Sequence, residues 1–217
     1  ENEAYHLNHI PFADHGALLD PPTSDVSARC LGTLAQLGYG ADDAVVARAI
    51  QFLKDEQEED GSWFGRWGTN YIYGTWSVLS ALNAVGEDMS QPYIRRAVEW
   101  LKSRQMADGG WGEDCATYWA DKKGLAKEST PSQTAWALMG LMAAGELDSA
   151  EVESGVTYLL NHPREGGKWQ ETMFNAVGFP KVFYITYHGY SAYFPLWTLS
   201  RYRNLKRSNT KRPAYGI

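Results

Sequence analysis

Cysteine is scarce in this chain. Cys30 and Cys115 are the only two, far apart and outside any Cys-x-x-Cys pair, which excludes a disulfide scaffold and leads us to expect a reducing compartment. Long apolar runs are also missing. The longest, Ala135 to Gly145, has eleven residues counting glycine, short of the ~18 that a membrane-spanning helix needs. No Gly-x-x-x-x-Gly-Lys or Gly-x-Gly-x-x-Gly unit is present, so nucleotide binding has no support. The start, Glu1-Asn2-Glu3-Ala4, has neither a basic nor an apolar leader segment and lacks Met, so we expect a piece of a longer polypeptide. Acidic residues disappear after Glu171. The first 171 residues carry a net charge of −13 and the remainder +7. Six of those seven cations lie between Arg201 and Arg212, a basic tail over 201–217 that either is simply solvated or suits anionic lipid headgroups. Nucleic acid is not an expected partner, because the acidic body repels phosphates.

What the chain has in quantity is aromatic rings, 13% of 217 residues, among them nine Trp and thirteen Tyr. Many belong to a repeat. Gln57-x3-Gly61-x-Trp63 recurs 48 residues later as Gln105-x3-Gly109-Gly110-Trp111. A third copy, Pro163-x3-Gly167-x-Trp169, follows 58 residues further on, with proline in place of glutamine. Before each copy lies a Leu/Ala-rich segment that stops at Gly38, Gly86 or Gly145, then an amphipathic one. Good helix formers at i, i+3, i+4 with a C-terminal glycine predict a helix, and the charged second segment predicts a half-exposed one. The repeat is a helical hairpin. Candidate inner helices are 25–38, 74–86, 131–145 and 192–204, while 69–73 and 179–190 read as ring-bearing loops. Each repeat tryptophan needs an acceptor for its indole N–H, and the preceding Gln is the candidate. Hairpins with this spacing stack or curl, since each leaves an apolar face needing a neighbour.

Together with Asp20-Pro-Pro-x-x-Asp25-Val-x-Ala28, Gly61-Ser-Trp-Phe-Gly-Arg-Trp67-Gly-x-Asn70-Tyr71, Gly109-Gly-Trp-Gly-Glu-Asp-Cys115, Ser129-Thr-Pro-Ser-Gln-Thr-Ala-Trp136 and Gly178-Phe-Pro-x-x-Phe183-Tyr-x-x-Tyr187, these repeats resemble bacterial squalene-hopene cyclases over nearly the whole chain. The resemblance implies an all-α fold of helical-hairpin repeats, here an incomplete (α/α)6 barrel, with residues 1–217 forming the C-terminal part of the catalytic toroid. It implies a peripheral or monotopic enzyme on the cytoplasmic face of the bacterial membrane, homodimeric when whole. Such an enzyme folds squalene or a related linear isoprenoid into hopene or hopanol, without metal or organic cofactor. The family's acid is an Asp-x-Asp-Asp motif, which does not occur in these 217 residues. We therefore expect it to lie before Glu1, in a missing N-terminal part without which this piece is inactive.

The resemblance assigns Trp67, Tyr73, Phe179, Phe183, Ile185, Tyr187 and Tyr190 to the substrate pocket. In a dry hydrocarbon pocket a carbocation is best faced by ring faces, at ~0.5–2 kcal/mol per contact, because a carboxylate would deprotonate or capture it. Ordinary core packing accounts for Phe194, Trp197 and Tyr202, and Trp63, Trp111 and Trp169 are expected to be structural. Asp20, Asp25 and Arg29 form the polar set. On spacing alone Asp25 and Arg29 are an i, i+4 surface pair behind a Thr23 or Ser24 cap. By resemblance they support the acid, with arginine standing where the family can carry histidine. Being permanently charged, Arg29 favours ionised neighbours, so it suits orienting the acid cluster rather than handling its proton. His6, His9, Asp14 and His15 lack the second ligand group of a metal site. Asp114 and Cys115 likewise lack the partners of a zinc or nucleophilic centre. A non-catalytic helical-repeat module that binds a hydrophobic ligand or a protein partner is the alternative reading.

Overall fold

The computed structural model describes residues 21–210. Seven α-helices dominate them: α1 (Ser24–Gln36), α2 (Ala44–Asp55), α3 (Tyr71–Ala84), α4 (Pro92–Ser103), α5 (Pro131–Ala143), α6 (Ala150–Asn161) and α7 (Tyr190–Arg207). Helices α1, α3, α5 and α7 pack side by side as an inner row, and α2, α4 and α6 lie outside it. Burial follows from sequence. Every residue of α5 is buried, whereas α4 buries only the stripe Tyr93, Ile94, Ala97, Val98, Trp100 and Leu101. A helix apolar all round belongs between neighbours, and one with a polar face belongs at the rim.

Three of the four inner helices, α1, α3 and α5, end the same way. Gly38, Gly86 and Gly145 take positive φ of 92°, 81° and 88°, and the following amide donates back to Leu34, Leu82 or Leu141. This closure satisfies carbonyls that the helix end would otherwise orphan. At the N-termini, Asp43 caps α2, Thr130 caps α5 and Ser149 caps α6, while α4 starts at Pro92 without a side-chain cap. The third hairpin differs. Where Pro163 replaces glutamine, β1 (Arg164–Glu165) and β2 (Lys168–Trp169) form a small hairpin around Gly166 and Gly167.

Both expected ring-bearing loops contain regular structure. Helix α3 begins at Tyr71, so Tyr71 to Tyr73 form its first turn. Residues 179–190 are not a plain loop either: β3 (Ala176–Phe179) pairs antiparallel with β4 (Phe183–Ile185). The turn between them has Val182 N–H donating to the Phe179 carbonyl at 3.0 Å, with Lys181 at φ 69°. Residues 67–69 dock against β3: Gly68 bridges Ala176, the Val177 N–H donates to the Trp67 carbonyl, and the Thr69 N–H donates to the Asn175 carbonyl. Arg201 to Arg207 continue α7 as helix, and Lys206 pairs with Asp148 at 2.6 Å.

Candidate functional site

The site grows from the segment joining α2 to α3. Trp63, at its start, is fully buried, and its indole donates to the Leu53 carbonyl at 2.7 Å. Trp111 and Trp169 do the same to Leu101 and Leu159. The acceptor is therefore the end of the preceding outer helix, not glutamine as expected. Gln57 and Gln105 instead donate to two carbonyls each, one in their own turn and one at the next outer helix. A backbone carbonyl ten residues back is fixed in space by the helix that carries it, which explains why it outcompetes a flexible side chain. The chain then runs past α3, where Gly74 lies so close that a β-carbon would sit 2.3 Å from the Trp63 carbonyl.

Asp25 is buried, so it is not half of a surface pair. Its Oδ1 accepts from the Thr23 hydroxyl at 2.6 Å and the Val26 N–H at 3.0 Å, and its Oδ2 accepts from the Trp67 N–H at 2.9 Å. Thr23 occupies the N-cap position, but its hydroxyl serves Asp25 rather than a helix amide. Arg29, one turn along, lies over the Trp76 ring at 4.2 Å and the Tyr73 ring at 5.7 Å. Asp20 falls outside the described residues, as do His6, His9, Asp14 and His15.

Around Arg29 the rings gather. Tyr73 meets Trp136 at 5.0 Å and Trp76 at 5.6 Å, and the two indoles stack with an interplanar angle of 5°. Tyr190 packs against Trp136 at 5.8 Å, Phe194 at 4.9 Å and Tyr187 at 5.0 Å. Burial is the main reason the Tyr73 phenol loses its proton less readily than a free one; the Asp25 charge adds to this, and Arg29 opposes it. Burial likewise keeps Tyr190 protonated. Tyr73, Tyr187 and Tyr190 thus form one group with the polar pair Asp25 and Arg29.

A second group sits on the hairpin. The Arg66 guanidinium donates to the Gly178 carbonyl at 2.9 Å and lies 4.3 Å from the Trp67 ring and 5.5 Å from Phe179, which meets Phe183 at 5.7 Å. Ile185 is half-buried on β4. Trp67, Phe183 and Tyr187 are exposed at 42%, 44% and 48%, so this chain presents them as an open wall rather than a closed cavity. The backbone ladder between residues 67–69 and β3 ties the two groups together.

Sequence reasoning missed Trp76, Trp136 and Arg66. Trp76 and Trp136 look like helix core by pattern, and only the structure shows their rings stacked on each other and meeting Tyr73 edge to face. Of the residues assigned to core packing, Phe194 is buried, whereas Trp197 is exposed on α7.

The sequence matches the family described as Squalene-hopene cyclase C-terminal domain over residues 1–204. It is 58% identical over its full length to a squalene-hopene cyclase of Schizosaccharomyces japonicus, and 53% identical over 90% of its length to that of Alicyclobacillus acidocaldarius. It covers 33% and 31% of those proteins, so the chain spans about a third of the length of these curated relatives. Among solved structures it resembles an ent-copalyl diphosphate synthase from Streptomyces platensis, with a TM-score of 0.60 at 23% identity over 84% of this chain and 34% of that one. It also resembles a type II terpene cyclase from Scytonema, solved with geranylgeranyl dihydroxybenzoate, with a TM-score of 0.52 at 22% identity over 82% of this chain and 52% of that one. At such identities the likeness concerns the fold, the helical-hairpin row of an α/α toroid. With its repeat, its inner row of helices and these relatives in agreement, the chain belongs to the squalene-hopene cyclase family.

Proposed function

We propose that this chain is the aromatic half of a cyclisation site, in an enzyme that converts squalene or a related linear isoprenoid into fused rings by protonation. The observation that carries this reading is the bond from the Trp67 amide to Asp25 Oδ2 at 2.9 Å, which joins the polar support of the acid to the ring-bearing segment. In the family this acid is the Asp-x-Asp-Asp motif, which these residues do not contain.

The chemistry balances without an oxidant or reductant. A proton adds to a terminal alkene, each new C–C bond moves the positive charge onward, and the last cation loses a proton or takes up water. The task left to this chain is to stabilise the moving charge without offering a base. Tyr73, Phe179, Phe183, Tyr187 and Tyr190 suit it, because a ring face attracts a cation yet accepts no proton; in the whole enzyme the rest of the toroid is to cover the exposed rings and keep water out. Ile185 adds apolar shape. Asp25 fixes the Trp67 segment, and Arg29, stacked on Trp76, orients the polar end of the site. A substrate dissolved in lipid fits an enzyme docked peripherally on a membrane, and no helix among the described residues is long and apolar enough to cross one. Dimerisation of the whole enzyme belongs to the same reading.

The test compares the whole gene product with the isolated 217-residue chain, each given squalene, with hydrocarbon products resolved by mass spectrometry. The whole protein is expected to yield polycyclic products and the isolated chain none. Cyclisation by the isolated chain, or none by the whole protein, overturns the proposal.

A further inference from the structure

One buried acid has no part in the scheme above. Glu113, just past Trp111, has its carboxyl group wholly enclosed. Its Oε2 accepts from the Asn70 N–H at 3.1 Å and the Ile72 N–H at 2.7 Å, at the start of α3. Its Oε1 has no hydrogen-bond partner among the described residues. Asn70 supplies no side-chain cap, so Glu113 performs that task from another segment. It does not act alone. Gln133 accepts from the Glu113 N–H and donates to the Thr69 carbonyl at 3.1 Å. The Tyr118 hydroxyl contacts the Gly65 and Gly68 carbonyls at 2.7 and 3.0 Å, and Asn70 accepts from the Gly65 N–H. Residues 65–72 are thereby suspended from the segment 113–118 and from α5. Trp67 lies in the middle of that span, and Tyr73 directly follows it.

We infer that Glu113 is a positioning residue: in its charged form its carboxylate fixes residues 65–73, and so sets how the Trp67 and Tyr73 rings face the substrate. The inference rests on the proposed function and deepens it. An anion accepts from two amides at the positive end of a helix, whereas the neutral acid is a weaker acceptor. Burial pushes the pKa of Glu113 up to about 7, against the pull of the two amides and of Arg104 and Lys123; Tyr71, Cys115 and Tyr118 are the other titratable groups around it. Near neutral pH both forms are therefore populated.

The sign of the effect on stability follows. The folded state holds this proton more tightly than the unfolded chain, so the contribution is complete below about pH 4.5 and is lost as pH rises through about 7. Charging Glu113 costs stability and, on this inference, improves the site, a trade common at functional positions.

The experiment uses the whole enzyme, wild type and Glu113→Gln, with squalene, from about pH 5 to about pH 8.5. One readout is the melting midpoint. The other is the ratio of fully cyclised to prematurely ended products, which is decided after initiation and so does not follow the initiating acid. In the wild type this ratio is expected to rise several-fold through about pH 7, while Glu113→Gln keeps the acid-side ratio at every pH. The melting midpoint of the wild type should fall relative to that of Glu113→Gln over the same interval, and Glu113→Asp should recover part of the pH response. A wild-type ratio that is flat with pH overturns the inference, and needs no folded variant. Equal ratios in wild type and Glu113→Gln at alkaline pH overturn it as well. If the wild type gives no cyclised product at all, the proposed function fails, and the midpoints still report whether Glu113 titrates in this range.

Discussion

The three indole-to-carbonyl bonds show how a single residue type joins helices of a row. Trp63, Trp111 and Trp169 each close the C-terminal turn of an outer helix with a bond of 2.6–2.7 Å. Trp111→Phe keeps most of the ring volume and removes the donor, leaving the Leu101 carbonyl without that partner. Unfolding by denaturant should show a loss of about 1–3 kcal/mol. Packing limits any repair, because Gly155 approaches so closely that a β-carbon there would lie 2.7 Å from the Trp111 ring. Asp25 offers a second residue-scale test. Asp25→Asn keeps the shape but weakens the acceptor for the Trp67 N–H and loses the charge beside Arg29. We expect melting to drop and turnover of the whole enzyme to fall about tenfold or more, and an unchanged rate would remove Asp25 from the site. The repeat pattern marked these tryptophans as structural, but their acceptor was hidden. Pattern shows which residues recur, while a bond to a main-chain carbonyl depends on where the helix ends.

At the scale of elements, α1, α3 and α5 were legible because their periodicity and terminal glycines agree with the packing that surrounds them. The first turn of α3 was not. Its cap comes from Glu113, more than forty residues away, and no local signal in Thr69-Asn70-Tyr71 reveals it. The β3–β4 hairpin was missed for a related reason: strands of four and three residues are too short for alternation to register, and their third partner is the 67–69 segment. Two substitutions test these elements. Gly74→Ala would push α3 off the Trp63–Phe64 backbone and strain the Trp63 N–H bond to Thr75, costing about 1–3 kcal/mol in an unfolding titration. Lys181→Gly acts the other way. It relieves a non-glycine residue from φ 69° and should stabilise the hairpin by up to about 1 kcal/mol, less whatever glycine adds to unfolded-state entropy.

On the scale of the whole molecule, the inner row has two ends, α1 and α7, each packed against a single inner neighbour. Helix α7 carries its apolar residues on more than one side. Phe194 and Thr198 are buried toward α5, while Tyr193, Leu196 and Trp197 remain exposed, Leu196 at 60%. Scattered apolar residues on a surface are normal, but three in a five-residue stretch of one helix, beside exposed Tyr187, make a contiguous patch. Burying it recovers about 25 cal/mol per Å² of apolar surface, which favours association of the isolated chain. The isolated chain should therefore elute in gel filtration above the volume-equivalent mass of a 24.3 kDa monomer while keeping a helical circular-dichroism spectrum. Leu196→Glu should shift it toward the monomer without loss of helicity, since the side chain points to water in the single chain. Helical monomers in both proteins would mean that this edge does not drive association, and unfolded aggregates in the wild type would mean that the row needs the rest of the toroid before it can form.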